Sequence, residues 1–395
     1  MSDEGSTSRR RDADDWGRIP CRTAGRIRAN LALHDAAPDV PAFSTAPAED
    51  VAAVVARGGE PAFRAQQANH WFWQRLAPSF EAMRTLPASA RRLLGASFAH
   101  STVSPKLRRA ADGGQTVKYL FELRDGRTIE TVVMHYEGTR RSRPRTTICV
   151  SSQVGCPIGC SFCATGRSGF DRNLTEAEIV DQFLQASRDL KQEQRSLTNV
   201  VFMGMGEPMN NYQAVVAAIR RWAASETLNF SPRRVTVSTI GLVPFIERLS
   251  AEGLPVNLAI SLHAPDDELR SSLIPVNRKY PIDAIIAAAR NHSARTGRRT
   301  SYEYVLLEGV NDSREHASRL SALVNHRLSH VNLIPMNPIE GSALAPPSKA
   351  RALAFQSVLL AAGISTTIRA TRGLDIDAAC GQLRARQLQP AATLA

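Results

Sequence analysis

The sequence predicts an α/β protein built around a parallel sheet, and three observations carry that expectation. From Thr146 onward, short β-branched runs alternate with amphipathic helical segments over about 230 residues, the pattern of strand-helix-strand units. A period-two stretch from Thr116 to Met134 marks an antiparallel hairpin ahead of that region. Three helical patterns between Glu49 and Phe98 form a small module earlier still.

Residues 1–46 mix Arg, Asp, Ala and Pro without a sustained period and are expected to form a mobile leader. The helical module, 47–100, comprises Asp50 to Ala56, Pro61 to Leu76 and Ala88 to Phe98; Pro61 suits a first turn, and Phe63, Trp71, Phe72 and Trp73 supply the apolar face. Residues 101–145 hold the hairpin and a linker. Val117, Tyr119, Phe121 and Leu123 share one face, Arg124 to Arg127 make a turn with Gly126 where positive φ costs little, and Ile129, Thr131 and Val133 return. Glu130 then points to the opposite face. Residues 146–370 carry expected strands at Thr146 to Val150, Asn199 to Met203, Arg234 to Thr239, Val256 to Ser261, Ser301 to Leu307, Val331 to Pro335 and Ile364 to Arg369. The intervening helices are Thr175 to Leu190, Tyr212 to Ala224, Val243 to Glu252, Ile282 to Thr296, Arg314 to Arg327 and Lys349 to Ala362, the first opening on a Thr175/Glu178 capping box. The periodicity fits either a doubly wound sheet or a partly closed barrel. A C-terminal segment, 371–395, follows.

Composition narrows the class. Of 395 residues, 43% are hydrophobic and 22% charged, enough to bury a core and far from the composition of a disordered chain. The longest apolar runs fall short of a membrane span, and the first residues are polar, which points to the cytoplasm. Forty-nine basic against 37 acidic residues leave +12, a surplus that suits a polyanionic partner such as nucleic acid. Six cysteines, three of them clustered, do not form a secreted disulfide framework.

The cluster is Cys156-Pro157-Ile158-Gly159-Cys160-Ser161-Phe162-Cys163, placed just after the first expected parallel strand. Three thiolates leave one iron of a [4Fe-4S] cluster without a protein ligand, a vacancy that can bind a small molecule. Structural zinc is the competing reading; it demands a fourth ligand and usually a second pair of cysteines. Gly204-Met205-Gly206-Glu207-Pro208 follows the second strand and reads alone as a tight turn. Cys149 and Cys380 read alone as buried apolar thiols.

The triplet, with an aromatic residue before its last cysteine, resembles the radical S-adenosylmethionine (SAM) superfamily. Together with Cys149 to Gln153, Cys163 to Gly166, Gly204 to Pro208, Ser261 to Ala264 and Asp375 to Gln382, it resembles the RlmN/Cfr family of RNA adenine methyltransferases over about Glu49 to Leu383. The resemblance implies a partial (β/α)6 radical SAM barrel with an N-terminal helical accessory domain and a β-hairpin extension. It implies that Cys156, Cys160 and Cys163 hold a [4Fe-4S] cluster and that Gly206, Glu207, Ser238, Ser261, Leu262, His263 and Asn337 contact S-adenosyl-L-methionine. It further implies that Cys380 accepts a methyl group, that Glu130 is the base removing a ring proton, and that Cys149 releases the product through a transient disulfide with Cys380.

Such chemistry answers a need. The ring carbons of adenine are electron-poor, so direct displacement of a methyl group onto them stalls, whereas a thiolate accepts it readily. The implied substrates are 23S rRNA of the peptidyl-transferase region and tRNA beside the anticodon, methylated at adenine carbon 2, with carbon 8 the alternative. A flavodoxin or ferredoxin is the expected electron donor. Basic groups at Lys106, Arg108 and Arg109, at Arg140 to Arg145, at Arg233 and Arg234, at Arg298 and Arg299, and at Arg369 and Arg372 are candidate RNA contacts, Arg140 to Arg145 foremost. A catalytically silent iron-sulfur RNA-binding protein and a radical enzyme acting on a protein or small molecule are the rival classes. The sequence sets no oligomeric state, and a monomer is compatible with it.

Overall fold

The computed structural model describes residues 40–138, 143–324 and 328–383. The expected leader up to residue 39, Cys21, Arg140, Arg141 and residues 384–395 lie outside them. Three antiparallel strands, β1 (Val103–Ala111), β2 (Thr116–Leu123) and β3 (Thr128–Tyr136), lead into β4 (Arg145–Cys149). A two-stranded ribbon, β5 (Gln153–Gly155) and β6 (Phe170–Asn173), flanks the cysteine triplet. β4 then continues as a parallel run through β7 (Asn199–Phe202), β8 (Val235–Thr239), β9 (Asn257–Ser261), β10 (Thr300–Leu306), β11 (Ser329–Pro335) and β12 (Thr366–Ile368). Successive parallel strands lie side by side, so each helix between them is a crossover on the sheet.

The ten-stranded sheet has β1 and β12 as its ends and does not close by strand pairing. The chain after β12 closes it instead. Arg372 donates to the His135 carbonyl at 2.8 Å, and the Gly373 N–H donates to Asp112 at 2.9 Å, so this segment reaches back to the strands that open the sheet. The result is a partial barrel whose gap is covered by the segment carrying Cys380. Alternation sorts each strand: on β10, Tyr302 and Tyr304 pack outward and are fully buried under helices, while Glu303 and Val305 line an internal cavity.

Two boundaries differ from expectation. The hairpin gains a third strand, β1, which the sequence hides: it is an exposed edge, broken in register after Pro105, and its Lys106 and Arg108 pair with Glu122 at 2.7 Å and Glu193 at 2.9 Å. Those two basic residues serve surface ion pairs. The helical module starts earlier than its periodicity indicates, because Phe43, only 2% exposed, packs against Phe72, Phe80 and Phe98 with ring centroids 4.7, 5.4 and 5.6 Å away. A lone Phe in an unpatterned stretch carries no periodic signal. The helices at Ala48–Arg57, Phe63–Asn69 and Ala88–Ser97 fall on the expected spans, with a π turn at His70–Gln74 continuing the second. Among the described residues no helix is long and apolar enough to cross a membrane.

Candidate active site

The carboxyl ends of the parallel strands open into two adjoining cavities. The larger, about 160 Å3, is lined by Cys156, Cys160, Cys163, Gly206, Glu207, Ser238, Ser261, His263, Glu303 and Asn337. The smaller, about 30 Å3, is lined by Cys149, Val132, Met134, Tyr136, Met203 and Arg372. Asn337, Arg369 and Cys380 line both. Cys149 and Cys380, far apart in the chain, thus face one cavity, and Cys380 also faces the cysteine triplet.

Glycine makes the first of these cavities possible. A side chain on Gly206, at φ +103°, would sit 2.6 Å from the Gln153 Cβ, and one on Gly204 would sit 2.7 Å from the Val150 carbonyl. The loop after β7 therefore lies flat on residues 150–153. The Met205 N–H donates to Ser151 Oγ at 2.9 Å and the Glu207 N–H to Gln153 Oε1 at 2.8 Å. The Glu207 carboxylate accepts from the Met209 N–H at 3.0 Å and the Ile240 N–H at 2.8 Å, joining the loop to the end of β8. Burial pushes its pKa up to about 7 against those two hydrogen bonds. Asn337 Nδ2 donates to the Cys380 carbonyl at 2.9 Å, and the Ala164 N–H donates to the Gly381 carbonyl at 2.7 Å, so the Cys380 segment is tied to the triplet.

His263 adopts φ +63°, unusual for a residue with a Cβ, and its ring contacts Phe162 edge-on at 4.7 Å. The Val305 N–H donates to its Nδ1 at 3.0 Å, so the proton of the neutral ring is on Nε2. Burial, then Arg270, lowers its pKa to about 3. Arg270 is fully buried and donates to the carbonyls of Leu262 at 2.9 Å, Ser261 at 3.0 Å and Ile240 at 2.5 Å. It clamps the strand ends that carry Ser238, Ser261 and His263. Two expected site residues lie outside both linings. Leu262, the first residue past the end of β9, lies between Ser261 and His263 and is fully buried. Glu130, 2% exposed, shares a strand face with Val132 and Met134 but is held behind them by an ion pair to Lys118 at 3.0 Å.

The three thiols of the triplet fit a cluster better than a single ion. All three line one cavity, yet among the described residues no three Cys, His, Asp or Glu side chains converge as one metal ion requires. A cubane binds each thiolate at a different iron and so needs no single point of convergence. Burial raises the pKa of each of these thiols, so the cavity favours thiolates only when cationic iron compensates the lost solvation. Cys149, also buried, is pushed up to about 12, and Arg369 partly offsets this. All five cysteines among the described residues are free thiols, so a standing Cys149–Cys380 disulfide is not a feature of this structure. Lys118, Arg270, Glu303 and Gln182, whose Oε1 takes the Ser151 N–H at 2.8 Å, escaped sequence reading. Glu303 left one trace, a lone carboxylate between two tyrosines on a strand.

A partial barrel with a cysteine triplet at the rim defines a radical SAM enzyme, and the Radical SAM superfamily model matches residues 150–320. The chain is 48% identical over 336 residues to the "Probable dual-specificity RNA methyltransferase RlmN" of Frankia alni, covering 83% of this chain and 79% of that protein. It is 45% identical over 339 residues to the protein of the same name from Symbiobacterium thermophilum, covering 86% and 90%. A crystal structure of a radical SAM methyltransferase from Sphaerobacter thermophilus superposes with a TM-score of 0.83 at 47% identity, covering 88% of this chain and all of that one. The chain belongs to the RlmN family of radical SAM RNA methyltransferases and uses a [4Fe-4S] cluster and SAM.

Proposed function

We propose that this enzyme methylates carbon 2 of adenine in 23S rRNA of the peptidyl-transferase region and in tRNA on the 3′ side of the anticodon, through an S-methylcysteine at Cys380. The supporting observation is the placement of Cys380: it lines the cavity of the cysteine triplet and, with Cys149, the adjoining one. As a thiolate, Cys380 attacks the methyl carbon of SAM, S-adenosylhomocysteine leaves, and Cys380 carries the methyl group as a thioether. When bound, the cluster and SAM supply the one-electron chemistry that activates the carried methyl group. Cys380 then presents its carbon to a base that enters the Cys149 cavity once the Cys380 segment moves to widen it. Glu130, two positions from Val132 on the same strand face, takes the ring proton after moving from its place behind the lining. Cys149 attacks the Cys380 sulfur; the electron pair of the broken S–C bond leaves with the carbon, which takes up a proton to become the methyl group, and a reductant reopens the transient disulfide.

The mouth of the smaller cavity suits RNA. Tyr136 lines it, with the guanidinium groups of Arg145 and Arg372 at 4.2 and 4.5 Å from its ring centroid, and exposed Arg143 lies two residues from Arg145. A flavodoxin or ferredoxin is the proposed electron donor and the cytoplasm the proposed location. The test is nucleoside mass spectrometry of rRNA and tRNA treated with the reconstituted enzyme. 2-Methyladenosine is expected in both; 8-methyladenosine alone would replace this reading with carbon-8 chemistry.

A further inference from the structure

Lys118 and Glu130 form an ion pair at 3.0 Å, with side chains only 4% and 3% exposed. A surface pair can be an accident of long side chains, but a pair this deep carries a desolvation cost, and apolar residues of similar volume would be as stable or more so. Its presence at such depth therefore points to a role other than stability. The ammonium has another partner: Lys118 Nζ donates to the Asp377 carbonyl at 3.2 Å. Asp377, at φ +50°, lies three residues before Cys380 in the segment that closes the barrel. One buried cation thus touches both the proposed base and the chain that carries the proposed methyl carrier.

We propose that Lys118 is a positioning residue that keeps Glu130 parked behind the cavity lining until the Cys380 segment shifts with the bound base. While the segment is at rest, the Asp377 carbonyl and the Glu130 carboxylate share the Lys118 ammonium. Movement of the segment removes the carbonyl and frees the pair to turn toward the cavity that Val132 lines. The proton from the ring carbon then passes to the Glu130 carboxylate while the electron pair of that C–H bond stays with the ring; no bond to carbon or sulfur changes at either residue. This inference rests on the reading of Glu130 as the base.

The experiment compares wild-type enzyme, Glu130→Gln and Lys118→Met, each reconstituted with its cluster and given SAM, dithionite and an RNA hairpin containing the target adenine. Mass spectrometry of the Cys380 peptide reads methyl loading, and denaturing gels read covalent protein–RNA adduct. Lys118→Met is expected to load Cys380 and bind RNA like the wild type yet release adduct about tenfold more slowly, in the manner of Glu130→Gln. A merely structural role would lower loading, cluster content and release together. Adduct build-up in Glu130→Gln with normal release in Lys118→Met would overturn the role of Lys118 alone. Normal release in both would overturn the base assignment and this inference with it. Should Lys118→Met fail to hold its cluster, Lys118→Gln, which keeps a donor without the charge, carries the same expectation and the same refutation.

Discussion

Three buried polar side chains decide what this site can do. Arg270 holds three carbonyls at the ends of β8 and β9, and Lys118 holds Glu130. Glu303 is the third: its Oε1 accepts from Asn332 at 3.0 Å, while its Oε2 is buried without a partner among the described residues, on a side chain that lines the larger cavity. A carboxylate oxygen in that position stabilises the folded enzyme only when something donates to it. Glu303→Gln should weaken SAM binding about tenfold in anaerobic calorimetry, as loss of one charge-assisted hydrogen bond implies; unchanged affinity would show that the oxygen is satisfied otherwise. Cys149→Ala should leave Cys380 methylation intact and trap the protein–RNA adduct, visible as an RNA-dependent band on a denaturing gel. A variant that turns over normally would remove Cys149 from the mechanism.

At the scale of elements, loops and helix contacts set the tolerance of the site. Gly206→Ala must either push Gln153 aside or abandon φ +103°, a strain on the order of 1–3 kcal/mol, and should lower SAM affinity while leaving β7 in place. Binding titrations alongside circular dichroism separate the two effects. The helix Ile282–Thr296 carries His292, fully buried, with Nδ1 2.9 Å from Ser250 Oγ and a pKa lowered to about 4 by burial. Because the folded state disfavours its charged form, this neutral histidine contributes stability above the unfolded value near 6.5, and that contribution is lost as pH falls toward 4. Urea unfolding of His292→Leu should therefore show a shallower acid loss than the wild type, by at most about 3 kcal/mol; identical slopes would mean that other groups carry the acid sensitivity. The expected parallel strands match because their β-branched runs and intervening helices are local signals. β1 was hidden since edge exposure and Pro105 erase its alternation. Ser261 and His263 were legible from one motif, but that Leu262 between them is buried away from the cavity follows from the turn after β9, where His263 takes φ +63°, and a motif does not encode that. Lys118 and Arg270 stayed illegible because their partners come from other strands and loops, and a charged residue in sequence looks the same whether solvated or buried; Glu303 left only its place between two tyrosines.

For the whole molecule, the unpaired end of the parallel sheet is what places its two halves in register for chemistry. The segment after β12 returns to β1–β3 and brings Cys380 between the cysteine triplet and Cys149, closing a sheet whose end strands β1 and β12 do not pair. The net charge of +12 should appear as salt-dependent RNA binding, and replacing Arg143 and Arg145 with Ala should reduce the slope of log affinity against log salt by about 1.4–1.8. An unchanged slope would place the RNA path elsewhere on the surface. The most direct test of the account is mass spectrometry of the Cys380 peptide after anaerobic incubation of the reconstituted enzyme with SAM carrying a deuterated methyl group. The account predicts a labelled methyl on Cys380 that then appears in the adenine of added RNA; label reaching the RNA without ever residing on Cys380 would contradict it.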